Sequence, residues 1–221
     1  MSITTVIDQN NTTLAYLQDE DYSNAIMSSL SALTQLHATA HLLATAHGEQ
    51  LRRSEAPDGS LDQLMLLYHD SGEADCAEDN ALDSRPTYIY DHGILIPSSI
   101  VDPTITTPII IFNSALVHHL SAEAKGGARP SPRELNKAKR LYELAYGSQT
   151  IAQNLMFRCV IFNNIAMIDQ QLGNAHQLEQ FLGHVVSVLM LFVDQGCRVQ
   201  LRHLQGFWAN VCSISPTATA A

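Results

Sequence analysis

An all-α fold of antiparallel helix pairs is what this sequence predicts, and three observations carry that expectation. Apolar residues recur at spacings of three and four along most stretches long enough to form an element. Those stretches are bounded by helix punctuation, with Ser131-Pro132 ahead of one and Gly147, Gly173 and Gly196 after three. Two of them, starting at Ile109 and Phe157, share a local pattern: Ile111, Asn113 and Ala115 answer to Phe162, Asn164 and Ala166.

Taken in order, residues 1–9 read as a frayed lead-in, and Leu14 and Leu17 pack one side of a short helix that ends at an acidic stretch. Asp21 is a suitable N-cap, because its carboxylate can accept from backbone N–H groups two or three residues on. Tyr22, Ile26, Leu30, Leu33, Leu36, Leu42 and Leu43 then outline a long helix stopping at Gly48. Residues 49–86 are acidic and poor in large apolar side chains, and read as a partly mobile insert with a short helix near Leu61–His69.

Residues 87–97, where Tyr88 to Tyr90 and Ile94 to Ile96 flank Asp91, His92 and Gly93, predict a small β-hairpin or an extended clip. Two strands alone are marginal in water, so this piece must lie against helices. A helix over 108–123 should begin at Pro108 and carry Ile109, Phe112, Leu116 and Leu120 on one side. Ser131, Pro132 and Glu134 spell a capping box ahead of Leu135, Ala138, Leu141, Tyr142 and Ala145. Further helices are expected over 151–172, 175–194 and 204–212. Residues 1–214 read as one domain and 215–221 as a disordered tail.

The chain has 221 residues, 46% of them hydrophobic, and a formal net charge of -10. That balance argues against a nucleic-acid surface, which needs clustered Lys and Arg. The densest basic stretch, Arg129 to Arg140, is interrupted by Glu134 and holds no aromatic residue. The first residues lack the basic and apolar regions of a secretory signal, and no unbroken apolar run approaches the ~20 residues that span a bilayer. Cys76, Cys159, Cys197 and Cys212 form no CxxC pair, which suits free thiols in a reducing compartment. A cytoplasmic location is the default expectation, with nuclear and organellar ones left open.

Catalytic signals are sparse. There is no GxSxG, phosphate-binding loop, GxGxxG or HExxH. His37 and His41 stand at i, i+4 and would share a helix face, but zinc wants a third ligand that nothing supplies, so they read as surface or packing histidines. The acidic run near Asp70–Asp75 lacks the spacing of a calcium loop. Cys159, Trp208 and the stripe Val186, Leu189, Met190 and Phe192 read as core.

In a 34-residue frame the helix pairs resemble the tetratricopeptide repeat. Phe162, Asn164, Ile165, Ala166 and Gly173 match one unit. Ile111, Asn113, Ala115, Ala138, Tyr142 and Ala145 match another, and Tyr16, Tyr22, Ala25 and Ala32 match a degenerate third. More narrowly, YxYDxGIxIP, IIFNxALxHHLSA, KAxRLYELAY, FNNxAxIxxxLG and GFWxNV look like a large group of tetratricopeptide-like proteins of diatoms, to which no activity attaches. Ser114, Leu178 and an insert of about eleven residues in the middle unit depart from the repeat.

The resemblance implies a right-handed superhelix whose groove is lined by Phe112, Leu116, His119, Asn163, Met167 and Gln170. Lys residues of the known clamp for acidic C-terminal peptides are absent, so that use is disfavoured. The expected role is a protein-interaction or scaffold module binding a peptide or partner helix, with no catalysis, no cofactor, no nucleic acid and no membrane. Whether that groove is open, or filled by the chain's own 85–100 clip or acidic insert, stays undecided by sequence. The alternative is a histidine-dependent metal-binding protein or hydrolase; self-association through an apolar end is a further option.

Overall fold

The computed structural model describes residues 2–46, 88–100, 102–125, 130–148, 154–194 and 201–214, and every regular element among them is a helix. The predicted acidic insert, its short helix and the C-terminal tail lie outside the described residues. The chain divides into two compact units interleaved along it. Unit 1 is Met1–His69 with His92–Asn154, and unit 2 is Asp70–Asp91 with Leu155–Ala221.

Unit 1 holds α1 (Ile3–Gln18), α2 (Tyr22–Ala46), α3 (Pro103–Lys125) and α4 (Pro132–Tyr146). α1 packs on α2 and α3, α2 on α3, and α3 on α4. The expected lead-in is helix: Ser2 Oγ accepts from the Thr4 N–H at 3.2 Å, and Val6 and Ile7 are fully buried. A polar majority in residues 1–9 conceals those two core positions. At the end of α1, the Asp21 N–H reaches back to the Tyr16 carbonyl (2.9 Å) and the Glu20 N–H to that of Leu17 (3.1 Å). This closure is the Schellman type, and it places Glu20 at φ 56°, a conformation that favours glycine. Asp21 caps α2 as expected, its Oδ1 accepting from the Asn24 N–H at 3.2 Å.

α3 starts five residues earlier than the sequence suggested. Asp102 Oδ1 accepts from both the N–H and the hydroxyl of Thr104 at 2.8 Å, so Pro103 opens the helix and Pro108 falls inside it. Pro108 therefore forgoes a bond to the Thr104 carbonyl, a cost of about 3 kcal/mol in an ordinary helix interior. Burial offsets it, for Ile109, Ile110, Phe112, Ala115, Leu116 and Val117 are all fully enclosed. By length and composition Pro103–Ala124 could cross a membrane, but 89% of it is buried within the protein, as befits a core helix.

α4 shows the predicted amphipathic face, with Leu135, Ala138, Tyr142 and Ala145 buried. Its capping box does not form. The Ser131 side chain makes no cap bond, and Glu134 is held elsewhere, by His118 Nδ1 at 2.7 Å and Lys137 Nζ at 2.9 Å.

Unit 2 holds α5 (Leu155–Leu172), α6 (Ala175–Asp194) and α7 (Leu201–Ile214); α6 packs on both of the others. Gly173, at φ 75°, closes α5 with the same Schellman pattern seen after α1: the Asn174 N–H bonds the Asp169 carbonyl at 2.8 Å. The buried stripe of α6 is Leu178, Leu182, Val185, Val188, Leu189 and Phe192, so Met190, expected in the core, lies 49% exposed. In α7 Phe207 and Val211 join the core, and Trp208 is half-buried.

The pair α5–α6 repeats the pair α1–α2 at a fixed separation. Asn10 and Asn163, Glu20 and Gly173, and Ala25 and Leu178 each stand 153 residues apart. Burial follows the same register: Ala25, Ser29, Ala32, Leu36 and Thr39 of α2 answer to Leu178, Leu182, Val185, Leu189 and Phe192 of α6, and all ten are buried. A helical-repeat architecture is compatible with this arrangement. The predicted hairpin is absent, because residues 88–97 carry no strand and make no ladder. They form a strap against the helices.

Candidate binding site: asparagine seats under the 88–97 strap

In unit 1 the strap is held by three asparagines. Asn113, at the middle of α3, accepts from the Ile94 N–H through Oδ1 and donates from Nδ2 to the Ile94 carbonyl, both at 2.8 Å. Asn11 of α1 does the same for Ile96: its Oδ1 accepts from the N–H at 3.2 Å and its Nδ2 donates to the carbonyl at 3.0 Å. Asn10 links the two. It accepts from Asn113 Nδ2 at 2.9 Å and donates to Asn11 Oδ1 at 3.2 Å. A carboxamide carries an acceptor and a two-proton donor side by side, the complement of one residue's N–H and C=O. Asn113 thereby uses both amide protons, and the relay leaves no buried polar atom of the set without a partner.

Unit 2 repeats the device. Asn164 of α5 accepts from the Tyr90 N–H at 3.0 Å and donates to the Tyr90 carbonyl at 2.9 Å. Asn210 of α7 accepts from the Tyr88 N–H at 2.8 Å and donates to the Tyr88 carbonyl at 2.7 Å. Asn163 is the link, accepting from Asn210 at 2.7 Å and donating to Asn164 Oδ1 at 3.2 Å and to the Tyr88 carbonyl at 3.0 Å. In each unit an Asn-Asn doublet on one helix cooperates with a single Asn on another, and the seats take strap residues two apart. Period two is that of extended backbone, whose alternate residues face one way. Ile94 and Ile96 are buried with Leu95 exposed between them, and Tyr90 is buried, while Asp91 and His92, between the two sets of seats, are both exposed.

Two glycines mark close approach. A Cβ on Gly93 would clash with Leu14 Cδ2, so the strap lies closest to α1 where it has no side chain, and a substitution there would make Leu14 shift. A Cβ on Gly206 would meet Cγ, Cδ1 and Cδ2 of Tyr88 at 2.5–2.6 Å, so the tyrosine ring lies on the bare backbone of α7. Phe207 meets that ring edge-on, with centroids 5.3 Å apart. Burial above all, then the charge of Asp91 and Cys159, pushes the Tyr88 hydroxyl well above its ordinary pKa, keeping it neutral.

The groove residues expected from sequence are all on these helices, and among them Asn163 hydrogen-bonds the strap, at the Tyr88 carbonyl. Phe112 and His119 turn instead to Tyr142 of α4, with centroids 5.6 and 6.1 Å away. Leu116 and Met167 are fully buried, and Gln170 is half-exposed. As folded, these side chains offer little surface to a partner. Asn10 and Asn11 escaped the sequence reading as candidate site residues, and Asn113, Asn164 and Asn210 entered it only as repeat or motif positions. The available signal was a poor helix former recurring inside apolar helical stretches: FNSA, FNNIA and WANV.

His119 is fully buried, neither ring nitrogen has a hydrogen-bond partner, and burial pulls its pKa down to about 3. Partial desolvation pushes Glu134 up, but hydrogen bonds and charge from Lys137 and His118 hold it below its ordinary value. His37 is exposed, and among the described residues no group of three or more His, Cys, Asp or Glu could hold a metal ion. Cys159 is buried, which raises its thiol pKa well above the usual range. No protein-family model matches the chain, and no curated protein or solved structure matches it either.

Proposed function

We propose that this chain is a protein-interaction module in which the asparagine seats of each unit hold extended peptide by its backbone, and that the 88–97 strap occupies those seats in the closed form. In this reading the helix pairs form a tetratricopeptide-like array. The supporting observation is the paired amide contact, made four times over, at Asn11, Asn113, Asn164 and Asn210. Such contacts address peptide groups, which every polypeptide has, so they suit a surface that must hold backbone irrespective of sequence. Side-chain selectivity is added where strap side chains meet the helices.

A tethered strap competes at an effective concentration in the millimolar range, so an incoming peptide meets a site that is mostly taken. The test is fluorescence anisotropy with a labelled peptide spanning Thr87–Pro97. It is titrated with the full chain and with the full chain carrying Ile94→Ser and Ile96→Ser, which weaken the strap and leave every seat intact. Binding should tighten by roughly tenfold or more in the variant. If that variant does not fold, Tyr88→Ala replaces it. Absence of binding to any folded strap variant would refute the proposal.

A further inference from the structure

We infer that the unit 2 seat selects an aromatic residue, and that its exchangeable occupant is a partner protein's extended aromatic-x-aromatic stretch, displacing Tyr88–Tyr90. This rests on the reading of the asparagine seats as peptide-binding. The observation behind it is separate: one turn of α7 reads a single strap residue twice. Asn210 takes the backbone of Tyr88 by its N–H and C=O. Gly206, four residues earlier and so on the same face, leaves the space that the ring fills. Phe207 closes the slot edge-on at 76°.

Glycine is a poor residue for the middle of a helix, and here its side-chain space is occupied by an aromatic ring. A leucine in that position would present tetrahedral carbons to a surface that accepts a flat face. Two residues on, Tyr90 is seated by Asn164 and its side chain is almost wholly enclosed. The seat therefore makes five backbone hydrogen bonds that any extended chain can satisfy and two side-chain demands that an aromatic at i and a large residue at i+2 meet. A phosphorylated tyrosine would have to carry its charge into the partly desolvated surroundings that raise the Tyr88 hydroxyl's pKa, and should bind more weakly. Tyr88 is only partly buried whereas Tyr90 is enclosed, which makes the first position the natural place for exchange to begin.

The test uses the full chain throughout. Three labelled eleven-residue peptides, carrying Tyr-Ile-Tyr, Leu-Ile-Leu or phosphoTyr-Ile-Tyr in the 88–90 positions of the Thr87–Pro97 sequence, are titrated by anisotropy. The proteins are wild type, Tyr88→Ala, and Tyr88→Ala with Gly206→Ala; Tyr88→Leu stands in if the alanine variant does not fold. Tyr88→Ala should bind the tyrosine peptide roughly tenfold or more tighter than wild type does, and tighter than it binds the other two by a similar factor. Adding Gly206→Ala should abolish that preference. Equal binding of the tyrosine and leucine peptides by Tyr88→Ala would overturn the aromatic slot while leaving the peptide-binding reading in place. No binding of any peptide, here and in the Ile94→Ser, Ile96→Ser chain, would remove both. A doubling of mass in light scattering, with peptide failing to compete, would assign the occupant to a second copy's strap and overturn the partner assignment.

Discussion

A single carboxamide in this protein does the work that a neighbouring strand does in a sheet. Asn113 satisfies the N–H and C=O of Ile94 and still donates to Asn10. Leucine at that position keeps the branched outline, with bulkier methyls, and abandons three buried polar groups, each costing about 1–3 kcal/mol. Asn113→Leu should therefore lower unfolding free energy by on the order of 3 kcal/mol or more in urea melts, with the Asn164→Leu change similar. Gly206→Ala has an expected sign opposite to the usual one. In most mid-helix positions that change stabilises by about 1 kcal/mol, but here the new Cβ strikes the Tyr88 ring. It should destabilise the wild type and stabilise the Tyr88→Ala chain, a sign reversal that melts of the four proteins would reveal. Thiols divide as simply. Exposed Cys212 should react with iodoacetamide while buried Cys159 stays unmodified until the protein unfolds, as mass spectrometry of the digested protein would record.

At the scale of elements, the fixed separation between α1–α2 and α5–α6 supplies its own experiment. Gly173 and Glu20 occupy the same left-handed site at the end of equivalent helices, and only glycine takes it without strain. Glu20→Gly should raise stability by roughly 1 kcal/mol, read as a higher thermal midpoint, and Gly173→Glu should lower it by at least as much. The sequence made most helices legible, because Leu135, Ala138, Tyr142 and Ala145, or Leu178, Leu182 and Val185, repeat at helical spacing. It concealed the start of α1, where Val6 and Ile7 sit among polar residues, and the start of α3, where Pro108 reads as a first residue although Asp102 and Pro103 cap the helix. It foretold a clip near 88–97 without showing what holds it. A side-chain amide bonding a distant backbone leaves no periodic trace, and buried asparagines look like solvated ones until burial is known. That is why five of the six strap-holding network residues were absent from the expected groove.

At the scale of the whole chain, each unit is completed by segments far apart in sequence. The path crosses between units after residues 69, 91 and 154, so neither unit is a continuous piece of chain. Acid should weaken the protein through unit 1. His119 is held neutral when folded, with a pKa near 3, and regains an ordinary value near 6.5 when unfolded. The unfolded state then binds the extra proton, so stability falls as pH drops below about 6.5, by up to ~1.4 kcal/mol per pH unit. Glu134 is held below its ordinary value, so its own contribution is lost later, as pH falls through its folded pKa. Urea midpoints across pH 7 to 4.5 should slope downward, and His119→Phe should flatten that slope, since it removes the buried base whose ring nitrogens have no partner.

Residue-resolved amide exchange by NMR addresses the asparagine seats most directly. Tyr88, Tyr90, Ile94 and Ile96 should exchange slowly and the intervening Ile89 and Leu95 quickly, and Asn113→Leu should release Ile94. Uniformly fast exchange across these positions, or an Ile94 amide that stays protected without Asn113, would contradict the account.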